Sequence, residues 1–152
     1  PTPNDVVARM LELAGVTKQS VVMDLGSGDG RIVIAAARIY GCQALGCEID
    51  QHLVDLSRAA IAREKLESLA RIEHADIFTR DLSGADVVTV FLYPHLMERL
   101  IPQLGRLKPG SRVVSHQFDL PGIKPDQVIA MVSPETGDTH RILRWTTPLK
   151  KE

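Results

Sequence analysis

The feature that most limits the fold is an apolar run, residues 20–25, that leads directly into three closely spaced glycines. Gly26, Gly28 and Gly30 are followed by residues 32–39, which are apolar nearly all round. This pattern predicts a strand covered on both faces, a tight turn and a buried helix. Glycines allow a ligand to approach the backbone, and unpaired N–H groups at a helix start favour an anion. The turn is therefore either a ligand site or a purely structural connection.

The same alternation of strand and helix signals continues along the chain. Strands are predicted over 20–25, 44–48, 71–75, 87–92, 112–116, 128–132 and 140–146, and helices over 4–15, 32–39, 51–69 and 96–107. Pro102 is expected to kink or interrupt the last helix. Residues 117–127 contain two prolines and a glycine, so any crossover helix there is short or absent. The order predicts an α/β fold with one seven-strand, mainly parallel sheet and an antiparallel edge strand.

Length and charge limit the domain organisation and the partners. A chain of 152 residues predicts a single domain, 1–152, in which residues 1–15 form an N-terminal segment with the first helix. Residues 16–152 then form the sheet and a C-terminal hairpin. The net charge of −1 and the lack of a long basic run disfavour nucleic acid as a partner. No apolar run is long enough to cross a bilayer, so no membrane partner is expected.

The two cysteines, Cys42 and Cys47, do not suit a disulfide. A strand across them, at about 3.3 Å per residue, would separate their Cα atoms by well over about 10 Å, whereas a disulfide needs about 7 Å or less. We therefore expect two buried thiols in a reducing compartment, which favours a cytoplasmic location.

Two acidic residues refine the nature of a ligand at the turn. Arg31 stands where the dinucleotide fingerprint requires glycine, so a nicotinamide cofactor is the least favoured ligand. Asp24 immediately precedes the turn, where a carboxylate repels a pyrophosphate and suits an ammonium group. Glu48 ends the second strand and can accept both hydroxyls of a ribose, or it is a solvated strand end.

These segments resemble a known family. Residues 24–30 and Glu48 resemble the first and second motifs of the class I S-adenosylmethionine-dependent methyltransferases. The wider pattern, from Pro1-Thr2-Pro3 to Phe118, Leu120 and Pro121, resembles the small protein lysine methyltransferases that include the ATP synthase c-subunit enzyme and archaeal and bacterial relatives. The resemblance covers most of the chain. It implies a Rossmann-like fold, S-adenosylmethionine as cofactor with no metal, and a protein lysine as acceptor.

The resemblance also implies roles for individual residues. Asp24 and the glycine turn would hold the methionine part of the cofactor, and Glu48 would hold the ribose. Asp76 would receive the adenine amino group, with Ile49 and the backbone of Ile77 bracketing the ring. The candidate cofactor-binding residues are Thr2, Asp24, Gly26, Ser27, Gly28, Glu48, Ile49, Asp76 and Ile77.

The ends of the predicted site are less constrained. Thr2 folds over the cofactor with the N-terminal segment, or lies in a frayed terminus. Residues 91–94 lie at the end of the fourth strand, where the superfamily places residues that face the methyl group, and Tyr93 among them is the candidate catalytic residue. His116 and Asp119 follow the fifth strand, but two isolated residues do not make a metal site. The other histidines are expected to be solvated, and Trp145 to lie in the core.

Three functions remain compatible with the sequence. With no insertion longer than a turn near the fourth and fifth strands, little chain is left to form a lid, which favours an open site and a large acceptor such as a protein. The alternatives are a small acceptor enclosed by the N-terminal segment and residues 118–125, and a non-catalytic module that only binds the cofactor. A monomer is compatible with each of them.

Overall fold

Seven strands and four helices alternate along residues 1–152, all of which the computed structural model describes. The helices are α1 (Asn4–Leu13), α2 (Arg31–Tyr40), α3 (Gln51–Arg63) and α4 (Pro94–Leu104). The strands are β1 (Val21–Leu25), β2 (Gln43–Glu48), β3 (Ala70–His74), β4 (Val87–Val90), β5 (Arg112–His116), β6 (Gln127–Val132) and β7 (Thr139–Thr146). Each predicted strand and helix has a counterpart in the structure.

All seven strands form one sheet in the order β3-β2-β1-β4-β5-β7-β6. Strands β1 to β5 pair in parallel, whereas β7 is antiparallel to both β5 and β6. The predicted α/β class, with a mainly parallel seven-strand sheet, is confirmed. The antiparallel strand lies one position inside the edge, because the β6–β7 hairpin places its second strand against β5 and leaves β6 outermost.

The sheet buries apolar side chains on both faces. Successive residues of a strand point to opposite faces. In β1, Val22 belongs to the layer formed with α1, α2 and α3, whereas Met23 and Leu25 belong to the layer formed with α4. Burial on both faces explains the continuous apolar runs in the sequence. It also holds the carboxyl ends of β1, β2 and β4 rigidly along one edge of the sheet.

Two helix boundaries differ from the predicted ones. Helix α3 ends at Arg63, because Lys65 takes a left-handed backbone conformation with φ 58°. Glycine usually occupies that position at a helix end, so a lysine there carries no sequence signal. Helix α4 begins at Pro94, which suits a first helical turn, and continues through Pro102 without interruption.

The remaining core predictions are confirmed. Cys42 and Cys47 are free, buried thiols, and they belong to the layers on opposite faces of the sheet. Trp145 is buried, and its indole N–H donates to the Ile123 carbonyl (3.2 Å). Residues 117–126 contain no helix. No helix of the chain combines the length and apolar character needed to cross a membrane.

Candidate active site

A cavity of about 320 Å³ lies at the carboxyl end of β1. Open α/β sheets bind ligands outside the carboxyl ends of their strands, and this volume is within the range of small-molecule sites. The turn after β1, the start of α2, the end of β4 and the N-terminal residues form its walls. Five predicted residues line it, namely Thr2, Asp24, Gly26, Ser27 and Gly28. Arg31 and Leu53, which the sequence did not identify as site residues, line it as well, and so does Phe91 of the segment 91–94.

The glycine turn is fixed to the neighbouring strand by its backbone. Gly26, Gly28 and Gly30 all have positive φ, between 56° and 83°, a region that other residues adopt at a cost. The N–H groups of Gly26 and Ser27 donate to the Cys47 carbonyl (2.9 and 3.0 Å). A Cβ added at Gly26 or Gly28 would meet no atom within 4 Å. The turn therefore leaves a cradle in which a ligand can contact its backbone.

Gly46 is a site residue that the sequence did not identify. It lies within β2, and a Cβ added there would come within 2.6 Å of the Ser27 side chain and 2.8 Å of Ile72 Cδ1. The Ser27 hydroxyl is buried at this contact and has no hydrogen-bond partner. The glycine turn can rest on β2 only because position 46 has no side chain. The need for glycine at position 46 arises from a contact between residues distant in the sequence, so no local motif predicts it.

Asp24 is a buried carboxylate at the inner end of the cavity. It is 4% exposed, and Oδ1 accepts a hydrogen bond from the Thr89 hydroxyl (2.8 Å). Burial raises the pKa of Asp24 to about 7, and the negative charges of Glu48 and Asp29 add to this rise against the opposing effect of Thr89. A buried carboxylate with one neutral partner is a strong site for a cation that enters the cavity.

Glu48 accepts three backbone hydrogen bonds, one of which comes from the glycine turn. Its Oε1 accepts from Gly28 N–H (2.8 Å), and its Oε2 accepts from the N–H groups of Ile49 and Asp50 (3.0 and 3.1 Å). Glu48 is buried, so it is not a solvated strand end. A carboxylate has about four acceptor positions, so Oε1 retains capacity for one further donor.

Ile49, Asp76 and Ile77 also do not line the cavity; they follow the ends of β2 and β3, and we call them the open shelf. Ile49 is 64% exposed, and its carbonyl accepts a hydrogen bond from His74 Nε2 (2.7 Å). Asp76 is exposed, and its Oδ1 accepts from Phe78 N–H (2.9 Å). The Ile77 carbonyl accepts from Gln103 Nε2 (2.7 Å). Ile49 and Asp76 are thus exposed, whereas Ile77 is partly buried.

The N-terminal residues are ordered against the cavity and are not frayed. Thr2 is 5% exposed, its carbonyl accepts from Arg31 Nη1 (3.0 Å), and its hydroxyl bonds to His116 Nδ1 (3.0 Å). Arg31 in turn pairs with Asp29 on the glycine turn (2.6 Å). This pairing lowers the pKa of Asp29.

Aromatic side chains gather where β4 and β5 end. Phe91 stacks on Phe118, with ring centroids 5.9 Å apart. Tyr93 packs against the same Phe118 ring, with centroids 5.5 Å apart. Phe91 lines the cavity and is 41% exposed, whereas Tyr93 is 66% exposed and does not line it. We call Phe91, Tyr93 and Phe118 the aromatic group. Half of the six Phe, Tyr and Trp residues of the chain are in it.

The histidines differ from one another in environment. His52, His74 and His95 are exposed, as expected. His140 is only partly exposed and bonds through Nδ1 to His116 Nε2 (2.9 Å), so the expectation that it is solvated is wrong. The two rings lie on adjacent strands, β5 and β7. Their separation in the sequence gives no indication of this proximity. No three His, Cys, Asp or Glu side chains converge in a way that could hold a metal ion.

The fold and the site together define a class of enzyme. A sheet in the order 3-2-1-4-5-7-6, a glycine turn after β1 and a carboxylate at the end of β2 are the features of a class I S-adenosylmethionine-dependent methyltransferase. A family model described as the ANTKMT methyltransferase domain matches residues 24–127, more than half of the chain. The chain belongs to this family, so it is an S-adenosylmethionine-dependent methyltransferase.

Known proteins similar to this chain fall into the same class. A protein-lysine N-methyltransferase of Saccharolobus islandicus is 44% identical over 85% of this chain and 81% of its own length. An ATP synthase c-subunit lysine N-methyltransferase of Caenorhabditis elegans is 34% identical over 76% of this chain and 62% of its own. The crystal structure of an RNA methyltransferase from Salinibacter ruber with S-adenosyl-L-homocysteine has a TM-score of 0.91 at 42% identity, covering 100% of this chain and 96% of that one.

Proposed function

We propose that this methyltransferase N-methylates lysine side chains of protein substrates. The observation that carries the proposal is the aromatic group, in which Phe91 and Tyr93 are exposed and Phe91 lines the cavity. Faces of aromatic rings attract ammonium groups, and an open approach suits a side chain presented by a large molecule. The names of the archaeal and nematode relatives, both of them lysine methyltransferases, support the same acceptor.

The cofactor half of the proposal rests on the donor set of the cavity. The buried carboxylate of Asp24 suits the ammonium of S-adenosylmethionine. The first N–H groups of α2, which have no partner within the helix, suit its carboxylate. Backbone at Gly26 and Gly28 can approach the methionine part without a side chain between them. The remaining acceptor capacity of Glu48 suits a ribose hydroxyl.

The adenosine half of the cofactor belongs on the open shelf. There the exposed apolar side chain of Ile49 and the backbone of Ile77 are proposed to bracket the adenine ring. The second carboxylate oxygen of Asp76, which is free of the bond to Phe78, is proposed to accept from the adenine amino group. Thr2 closes the opposite side. We assign no metal to the reaction.

The chemistry asks little of the protein beyond alignment. When bound, S-adenosylmethionine supplies an electrophilic methyl group. The unprotonated lysine nitrogen forms a bond to the methyl carbon as the carbon–sulfur bond breaks, giving S-adenosylhomocysteine, a methylated lysine and the proton lost from the original ammonium. Holding the reacting atoms in line accounts for much of the rate. Lysine has an unperturbed pKa of about 10.4, and burial beside a cationic sulfonium favours loss of its proton.

Tyr93 is proposed to act at the entrance to the site. It lies at the start of α4 and contacts Phe118, so its ring faces a lysine on its way to Phe91 and the cavity. We assign it the candidate catalytic role of aligning and desolvating the amine. A cytoplasmic location, consistent with two free thiols, completes the proposal.

RNA is the second candidate acceptor, because the similar Salinibacter structure is described as an RNA methyltransferase. The charge of this chain argues against it. The net charge is −1, and two arginines beside the site, Arg31 and Arg141, lie 2.6 and 3.7 Å from the carboxylates of Asp29 and Asp119. A nucleic-acid site normally presents unpaired basic groups to phosphates.

Glu48→Ala is expected to weaken S-adenosylmethionine binding by about 1–3 kcal/mol, roughly five- to 150-fold. The substitution leaves the N–H groups of Gly28, Ile49 and Asp50 without their acceptor. It also removes the proposed ribose partner. Calorimetric titration measures the effect. Glu73→Ala is the matched control, because the Glu73 carboxylate pairs with Arg80 at the surface. Equal affinity of E48A and wild type would show that Glu48 has no part in the cofactor site.

The acceptor is tested with a cell lysate and S-adenosylmethionine carrying a labelled methyl group. After incubation with the purified enzyme, protein, RNA and small-molecule fractions are separated and counted. We expect label in protein, on lysines identified by peptide mass spectrometry, and none above background with a variant that cannot bind the cofactor. Label confined to RNA would establish the second candidate, and label confined to small molecules would establish an enclosed-acceptor enzyme.

A further inference from the structure

The N-terminal strap, defined as Pro1, Thr2 and Pro3, lies across one side of the cavity. Pro1 and Thr2 line the cavity, and Thr2 and Pro3 are buried. Two of the three residues are prolines, whose fixed φ limits the number of conformations the strap can adopt. Few interactions are therefore needed to hold it in one place.

Two hydrogen bonds connect the strap to α2 and to β5. The Thr2 carbonyl accepts from Arg31 at the start of α2, beside the glycine turn. The Thr2 hydroxyl bonds to His116 at the end of β5, more than 100 residues away in the chain. The first connection uses a backbone group and survives substitution of Thr2. The second depends on the side chains of Thr2 and His116, so it can be removed selectively.

His116 is itself held in a chain of hydrogen bonds. Its Nε2 bonds to His140 Nδ1 (2.9 Å), and His140 Nε2 bonds to the Thr136 hydroxyl (3.0 Å). In a pair of neutral imidazoles only one of the two facing nitrogens carries a proton, so the tautomer of one ring fixes that of the other. The hydroxyls at the two ends can donate or accept, so every bond in the chain is satisfied in either direction.

The surroundings keep His116 neutral. The ring is 4% exposed and packs against Phe91, with centroids 4.6 Å apart. Burial lowers the pKa of His116 to about 4, and His140 contributes in the same direction. His116 therefore offers Thr2 a neutral partner.

We propose that His116 is a positioning residue that holds the N-terminal strap over the bound cofactor through the Thr2 hydroxyl, with His140 fixing its tautomer. The proposal rests on the cofactor site described above. His116 is not among the residues proposed to contact the cofactor or the lysine. Its only contact with the aromatic residue that lines the cavity is the packing of its ring against Phe91. It acts by keeping one wall of the cavity closed, which slows the escape of S-adenosylmethionine.

The test compares cofactor binding and turnover in variants of Thr2 and His116. Thr2→Val preserves shape and removes the hydroxyl, whereas Thr2→Ser keeps the hydroxyl. For Thr2→Val we expect the dissociation rate and KM of S-adenosylmethionine to rise by roughly three- to tenfold, with kcat nearly unchanged. Thr2→Ser should restore wild-type values. Thr17→Val, at an exposed threonine before β1, is the matched control and should change nothing.

A double variant distinguishes the connection from separate effects of its two ends. His116→Gln combined with Thr2→Val should weaken binding no more than the larger single change, because both remove the same contact. Additive losses would overturn the proposal, as would a Thr2→Val enzyme that binds as tightly as wild type. Failure of wild-type protein to bind S-adenosylmethionine would instead contradict the cofactor site. Thermal unfolding of Thr2→Val checks that a change near a chain end leaves the fold intact.

Discussion

Gly28→Arg should abolish binding of S-adenosylmethionine while leaving the enzyme folded. A side chain at this position projects into open space at the turn, which is the space that the methionine part of the cofactor must occupy. Arginine would also place a cation near the pocket that Asp24 offers to an ammonium. We expect binding to weaken at least about a hundredfold, which corresponds to about 2.7 kcal/mol or more, as measured by calorimetry.

The matched control for this change is Gly110→Arg. Gly110 also has a positive φ (86° against 56° for Gly28) and open space around a would-be Cβ. It lies in the turn before β5, at the end of the sheet opposite the cavity. Both variants carry a similar backbone cost of about 1–2 kcal/mol, so their unfolding temperatures should be comparable. If Gly28→Arg binds the cofactor as well as Gly110→Arg does, the glycine turn is not the cofactor site.

Asp24→Asn should weaken cofactor binding and remove a pH dependence that wild type shows. Burial raises the pKa of Asp24 to about 7, so the free carboxyl group is protonated below neutral pH. An ammonium ligand favours the ionised form, so binding below pH about 7 must first release a proton. The affinity of wild type should therefore rise about tenfold per pH unit up to about pH 7 and then level off.

The asparagine variant distinguishes ionisation of the Asp24 carboxyl group from ionisation of the amino group of S-adenosylmethionine. The asparagine side chain cannot ionise, but its oxygen can still accept from Thr89, so the packing is preserved. At about pH 8 we expect affinity to fall by roughly ten- to a hundredfold, the value of a hydrogen bond to a charged group. The ratio of variant to wild-type Kd, followed from about pH 5.5 to 8.5, isolates Asp24. A constant ratio across this range would contradict the assignment of Asp24 to the ammonium.

The raised pKa of Asp24 makes the stability of the folded protein fall with rising pH, whereas the affinity for the cofactor rises. Because the pKa of Asp24 is higher in the folded protein than in the unfolded chain, ionisation of this buried group opposes folding. Its favourable contribution is complete below the ordinary carboxyl pKa and is lost as the pH rises through about 7. Asp24→Asn should then be at least as stable as wild type near pH 8, which separates a loss of binding from a loss of fold.

Local motifs predicted candidate cofactor residues around β1 and β2 because these residues are close together in the sequence. Asp24 and the glycine turn occupy one strand–turn–helix unit, and Glu48 ends the adjacent strand. The contact of Gly46 with Ser27 and the bonds from Thr2 to His116 and His140 join residues far apart in the chain. They depend on the strand order and on register between β5 and β7, which no local pattern specifies.

The aromatic group shows a similar limit. The resemblance placed residues 91–94 near the methyl group, and in the structure Phe91 is the residue of this segment that lines the cavity. Strand β4 ends at Val90, two residues before the predicted end, so the alternation of a strand does not fix where the side chains after Val90 point. Tyr93 is the residue that precedes the first turn of α4, which begins at Pro94, so its placement depends on this helix as well as on β4.

The central claim, methylation of protein lysine, is tested most directly by a matched pair of protein acceptors. One lysate protein fraction is used as isolated, and an equal portion has its lysine amines acetylated beforehand, which removes their nucleophilicity. With labelled S-adenosylmethionine, the enzyme should label the untreated fraction on lysine and leave the acetylated fraction at the level of the Gly28→Arg variant. Equal labelling of the two fractions, or labelling of RNA alone in a parallel reaction, would contradict it.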